Sequence, residues 1–213
     1  NSYIGTAIVK WTILTFDLSV TSNTATIWLN FAADLITALV AMIILRKFIK
    51  RQWKDFMKNK YSIIVAGCLV GYFFTICGNA LGNSIVKLFV DQSTSVNQQQ
   101  IESLTKNIPV LMFFVTGFLA PVGEELIFRG LIFTGLRKYN RVLAYIVSAF
   151  LFGFIHVMSS VFAGNIGEMI QMIPYMCSGL VFAYVYESTD NIWGSILTHM
   201  TNNIVAMVVL FLM

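Results

Sequence analysis

Hydrophobic residues in this chain fall into runs that recur along its whole length, separated by short polar or basic stretches. Runs of about 18 or more apolar residues read as bilayer spans. Seven are counted, at residues 2–20, 27–46, 61–81, 107–136, 142–159, 168–187 and 192–213. The pattern predicts an all-α, polytopic transmembrane helical bundle of about seven spans, making one membrane domain. The first run lacks a basic leading segment and a small-residue cleavage site, so it reads as a span and not as a cleavable signal. The fourth run is long for one straight crossing: roughly thirty residues extend about 45 Å, against a hydrocarbon core of about 30 Å. Pro121 is expected to break or kink it, because proline removes a backbone donor and its ring clashes with the preceding turn.

Composition agrees. Hydrophobic residues make up 57% of the chain and charged residues 11%, where soluble domains carry about 25% charged. The net charge of +4 is not a nucleic-acid footprint, because the basic residues cluster as topology signals do. Arg46, Lys47, Lys50, Arg51, Lys54, Lys58 and Lys60 fill one stretch, and Arg137, Lys138 and Arg141 follow the fourth span. Two spans separate these clusters, so both fit the cytoplasmic side under the positive-inside rule. The Gln-rich stretch 91–106 then lies outside the cytoplasm. Cys68, Cys77 and Cys177 read as small buried hydrophobes. Lys10 and Asp34, in spans one and two, are equidistant from a turn near residue 22 and could pair within the membrane; alternatively, Lys10 snorkels to the interface.

Ionisable residues inside a bilayer are costly, so each is a functional candidate. The densest group is Glu124, Glu125 and Arg129. The chain's two histidines, His156 and His199, both fall within predicted spans, and Asn203 follows His199 by one helical turn. Glu125 and Arg129 are spaced i,i+4 with the acid first, the better order for an ion pair. Glu124 is rotated about 100° from that pair and is therefore the carboxylate available for chemistry. Counted from the basic end, Glu124 lies about 20 Å deep, His156 about 22 Å, and His199 and Asn203 about 14 and 20 Å. Three helices thus bring polar groups to similar depth. Taken singly, each has a plainer reading: a membrane histidine often bonds a neighbouring helix, and a Glu–Arg pair often serves packing alone.

Three motifs in this order resemble the type II CAAX prenyl endopeptidase and bacteriocin-processing family of membrane proteases, also called the CPBP or ABI family. They are Glu-Glu-x-x-x-Arg at Glu124, Glu125 and Arg129, Phe-x-x-x-His at Phe152 and His156, and His-x-x-x-Asn at His199 and Asn203. The resemblance covers roughly 107–210. It implies a catalytic core over 107–213 behind variable helices over 1–106. It also implies a glutamate-type intramembrane endopeptidase acting on a peptide or protein precursor at the cell membrane, reached from the cytoplasmic side or the bilayer interior. By that resemblance Glu124 is the general base with His156 as partner, His199 and Asn203 hold the oxyanion, and Glu125 and Arg129 position Glu124. No cofactor is expected. Zinc is the competing mechanism, disfavoured because no His-Glu-x-x-His helix is present and Arg129 would face the cation. The alternatives from other classes are a non-catalytic immunity scaffold of the same fold and a proton-coupled transporter, the latter disfavoured by the lack of repeat symmetry. The oligomeric state is not legible.

Overall fold

The computed structural model describes residues 22–91 and 94–212. Span one, and with it the proposed Lys10–Asp34 pair, lies outside the described residues. The described residues form helices only, numbered here in chain order: α1 Ser22–Ile44, α2 Arg46–Lys87, α3 Val96–Asn107, α4 Pro109–Arg137, α5 Arg141–Phe162, α6 Ile166–Thr189 and α7 Ile192–Leu212. Five of them (α2, α4, α5, α6 and α7) are long and apolar enough to cross a membrane, and α1 carries a shorter apolar segment, Phe31–Ile44. The chain is a multi-pass helical membrane protein. Its outward faces carry Leu69, Phe73, Val142, Ile146 and Phe150 exposed, as lipid-facing surfaces require.

Lipid gives helices no hydrophobic reason to associate with one another, so close approach at small residues matters more. Helix α2 carries two small-xxx-small pairs on one face, Gly67 with Gly71 and Gly78 with Gly82. The first pair abuts Gly194 and Thr198 of α7, and the second abuts Cys177 and Pro174 of α6. At Gly82 the approach is backbone to backbone: a Cβ there would lie 2.6 Å from the Cα of Pro174. Cys77 sits beside this stripe but is rotated off it and exposed, while Cys68 and Cys177 are half-buried. The expectation that all three cysteines are buried therefore fails, because the glycines occupy the contact face.

Two polar stretches are helical. The basic stretch 46–60 is the first part of α2, kinked at Asn59, where φ is −119° and ψ is 22°. Its buried Gln52 accepts the Ile192 N–H at 2.6 Å and donates to the Asp190 carbonyl at 3.3 Å, and Asn191 donates to the Gln52 carbonyl at 2.9 Å. Arg137 pairs with the Asp190 carboxylate at 3.1 Å. Gln52 and Arg137 thus meet at the α6–α7 connection, bringing both basic clusters to one end of the bundle. The Gln-rich stretch forms α3, capped by the Ser95 hydroxyl, which accepts the Gln98 N–H.

Pro121 does not break α4. The turns before it widen instead, over Val115–Leu119, and the Ala120 N–H reaches back five residues to the Val115 carbonyl. A second widened segment, Leu126–Phe133, follows Glu125. Such π-helical turns absorb a residue that the α-ladder cannot accommodate and often sit at functional sites.

Candidate active site

Helix α4 presents Glu124 and Glu125 from the regular turn between its two widened segments, and Arg129 from the second of them. Glu125 and Arg129 are both fully buried, with Nη1 donating to Glu125 Oε1 at 3.0 Å. Arg129 Nη2 donates to the Gly179 carbonyl of α6 at 2.6 Å. The guanidinium carbon lies 4.8 Å from the centre of the Phe152 ring and 5.4 Å from that of Phe182, so aromatic faces supply much of what water cannot. Gly179 lets α6 pack closely on α5, because a Cβ there would meet the Ala149 Cα at 3.2 Å.

Glu125 Oε1 also accepts a hydrogen bond from His199 Nδ1 at 3.1 Å. A carboxylate paired to arginine can only accept, so Nδ1 carries a proton; Nε2 then offers a lone pair in the neutral ring and a second N–H in the imidazolium. That Nε2 faces Glu124 Oε2 at 3.9 Å. Glu125 therefore bonds one edge of the imidazole and Glu124 faces the other, both from the side of α4. The ring lies against Phe182, with centroids 4.6 Å apart and planes at 22°. This junction of the first and third motifs is not legible from helical spacing, which pairs only residues on one helix.

His156 is fixed differently. Its Nδ1 lies 2.7 Å from the Phe152 carbonyl, an acceptor, so again Nδ1 is the protonated nitrogen. Tyr175 stacks on it with centroids 4.2 Å apart and planes at 16°. Neutral His156 thus also presents an Nε2 lone pair. Phe152 stands between the two imidazoles, 4.9 Å from His156 and 5.6 Å from His199 by centroids, which explains the phenylalanine of the second motif.

Asn203 is placed by Pro121. With Ala120 donating to Val115, the next donor in register would be residue 121 to the Thr116 carbonyl, and proline has none. Asn203 Nδ2 donates to Thr116 at 2.8 Å instead. Asn202 Nδ2 donates to Asn203 Oδ1 at 3.1 Å, so the carboxamide is oriented and one N–H of Nδ2 remains for another acceptor.

Glu124, His156, His199 and Asn203 all line one cavity of about 760 Å³; Glu125 and Arg129 lie behind its wall. Asn79, Asn97, Gln98, Ser178 and Asn202 add amide and hydroxyl groups. The lining comes from the first half of α4, the end of α5, the start of α6 and the end of α7, together with α3, the end of α2 and part of α1. These are the helix ends away from Arg137 and Asp190, so the cavity borders α3 and not the basic end. Sequence reasoning missed Tyr175 and the polar contacts of α3; a tyrosine in an apolar span carries no distinguishing signal. Among the described residues, no group of three or more His, Cys, Asp or Glu side chains is arranged to hold a metal ion.

Helical architecture and site together define a polytopic membrane protein with a carboxylate–imidazole centre inside the bundle. Residues 106–205 match the family model described as type II CAAX prenyl endopeptidase Rce1-like, and that stretch carries the three motifs. It is 28% identical over 177 residues to YdiL of Bacillus subtilis, a proposed membrane peptidase, covering 82% of this chain and 67% of that protein. It is 29% identical over 175 residues to an uncharacterized protein of Mycoplasma capricolum, covering 78% and 48%. It is 26% identical over 151 residues to the membrane-embedded CAAX protease MroQ of Staphylococcus aureus, covering 69% and 58%. The chain thus spans between about half and two thirds of the length of these relatives. No solved structure matches the chain at a significant level.

Proposed function

We propose that this chain is an intramembrane endopeptidase that hydrolyses a peptide bond in a membrane-associated peptide or protein precursor, with Glu124 activating water. The observation that carries this reading is the imidazole of His199, bonded by Glu125 on one edge and facing Glu124 across the other, in the wall of a cavity shared with His156 and Asn203. Hydrolysis of an amide requires a base for water and donors for the developing oxyanion. Glu124 takes a proton from water as the water oxygen bonds to the carbonyl carbon. The Nε2 lone pair of His156 accepts the water's other hydrogen and orients it. The carbonyl electron pair moves onto oxygen, where the remaining Asn203 N–H donates. His199 joins as a second donor in its imidazolium form, whose charge Glu125 balances at Nδ1. Glu124 then returns its proton to the leaving nitrogen as the C–N bond breaks.

Arg129 is the fixed counter-charge paired with Glu125 beneath His199. With one Glu125 oxygen shared between Arg129 and His199, the centre is read as metal-independent. The cavity's amides suit the peptide backbone of a substrate entering from the α3 side or the bilayer interior. The similarity to a protein named as a CAAX protease supports the class of reaction, and a small precursor processed at a bacterial membrane is the substrate favoured here. The test compares peptide termini in cells carrying the wild type and Glu124→Ala. Termini that appear only with the wild type are expected. Identical termini in both would refute the catalytic assignment.

A further inference from the structure

The Tyr175 ring covers one face of the His156 ring, and the Phe152 carbonyl ties its Nδ1. Between them these contacts leave the Nε2 edge as the one turned to the cavity. Tyr175 itself is anchored at its hydroxyl. Ser95 Oγ lies 2.7 Å away, and Asn97 Nδ2 donates to it at 3.4 Å. Both partners belong to the start of α3, the helix bordering the cavity. A second tether fixes that segment: the Val96 N–H donates to Oε2 of buried Glu168, at the start of α6, at 3.1 Å. The chain of contacts therefore runs from α3 through the tyrosine hydroxyl and ring to the imidazole.

We propose that Tyr175 is a positioning residue for His156, holding its ring and Nδ1–H tautomer in place from the helix that caps the cavity. The proposal rests on the reading of His156 as part of the reacting centre, but its physical content is independent of any substrate. An imidazole free in water prefers the Nε2–H tautomer and rotates about two bonds. Here a near-parallel stack at 4.2 Å blocks that rotation, and a bond to backbone selects the opposite tautomer. The ring and hydroxyl have separable duties: the ring restrains His156, and the hydroxyl restrains α3.

The chain's two histidines make the test direct. Histidine-labelled protein in detergent gives two imidazole signals, assigned with His156→Gln and His199→Gln. In Tyr175→Leu, the His156 Cε1–H signal should move downfield as the ring current is lost. Its nitrogen shifts should move away from the pure Nδ1–H pattern, while His199 stays unchanged. Tyr175→Phe should keep both His156 signatures and lose only the link to α3. This would appear as faster accessibility labelling of a cysteine placed at Gln99. In a cleavage assay Tyr175→Leu should lower kcat on the order of 10- to 100-fold, the scale expected for a misplaced catalytic group, and Tyr175→Phe should restore most of it. A His156 signal that keeps its shift and tautomer in Tyr175→Leu would overturn the proposal whatever the activity. Changed signals with no cleavage even by the wild type would leave the positioning role standing and refute the endopeptidase reading instead.

Discussion

Replacing Arg129 with methionine removes a cation that has no access to water and strands a carboxylate equally enclosed. Breaking a buried ion pair from one side costs about 3–5 kcal/mol, because the remaining charge is left uncompensated. The Gly179 carbonyl also loses its 2.6 Å donor. At about 2–4 °C per kcal/mol for a chain of this size, Arg129→Met should melt roughly 6–20 °C below the wild type in detergent. Arg129→Lys should recover only part of this. A single ammonium cannot reproduce the planar fork that reaches both Glu125 and Gly179, nor lie flat between Phe152 and Phe182. Glu125→Gln combined with Arg129→Met should melt above Arg129→Met alone, since no unpaired charge then remains. Thermal unfolding of the three variants in one detergent decides the matter. An Arg129→Met protein within about 2 °C of the wild type, or a double variant no better than the single, would refute the claim that this pair is a mutually dependent buried charge couple.

Glu124→Gln should retain the wild-type melting temperature within about 2 °C, since Glu124 lies outside the buried pair, while abolishing turnover; lost stability with retained cleavage would reverse the roles of the two glutamates. Dialysis against a strong chelator, with zinc loss confirmed by elemental analysis, should leave cleavage unchanged; activity that vanishes and returns only with zinc would make Glu124 a ligand. Single cysteines at Lys54 and Gln99, in a chain lacking the native three, should label from opposite sides of the membrane. Labelling of both from one side would overturn the positive-inside assignment. Gly82→Val should lose about 1–3 kcal/mol or more through overpacking, because its side chain would meet Pro174 backbone at 2.6 Å; unfolding at the wild-type temperature would show that the α2–α6 contact can open.

The sequence alone determined what depends on local geometry. Long apolar runs specified membrane helices, since a chain in lipid must satisfy its backbone hydrogen bonds internally. The i,i+4 spacing specified the Glu125–Arg129 pair, and three short motifs carried the resemblance to a family of membrane proteases. Helical spacing says nothing about which residue of a second helix arrives opposite, and that is where tertiary structure decided. It brought Glu125 within hydrogen-bond distance of His199 and turned Glu124 toward the same ring. It turned the basic stretch 46–60 into a kinked helix docked on the α6–α7 turn through Gln52, and it put Cys77 on the outer surface. Two decisions joined distant positions that carry no shared signal. Proline at 121 left the Thr116 carbonyl without a backbone donor, and only the approach of α7 let Asn203 supply one. Tyr175 became part of the site because the glycine face of α2 and the bare backbone of Gly179 let α6 pack close to its neighbours, bringing its aromatic ring against an imidazole on α5. Such contacts depend on interhelical distances of a few ångströms, set by where side chains are absent, and no periodicity within one helix encodes them.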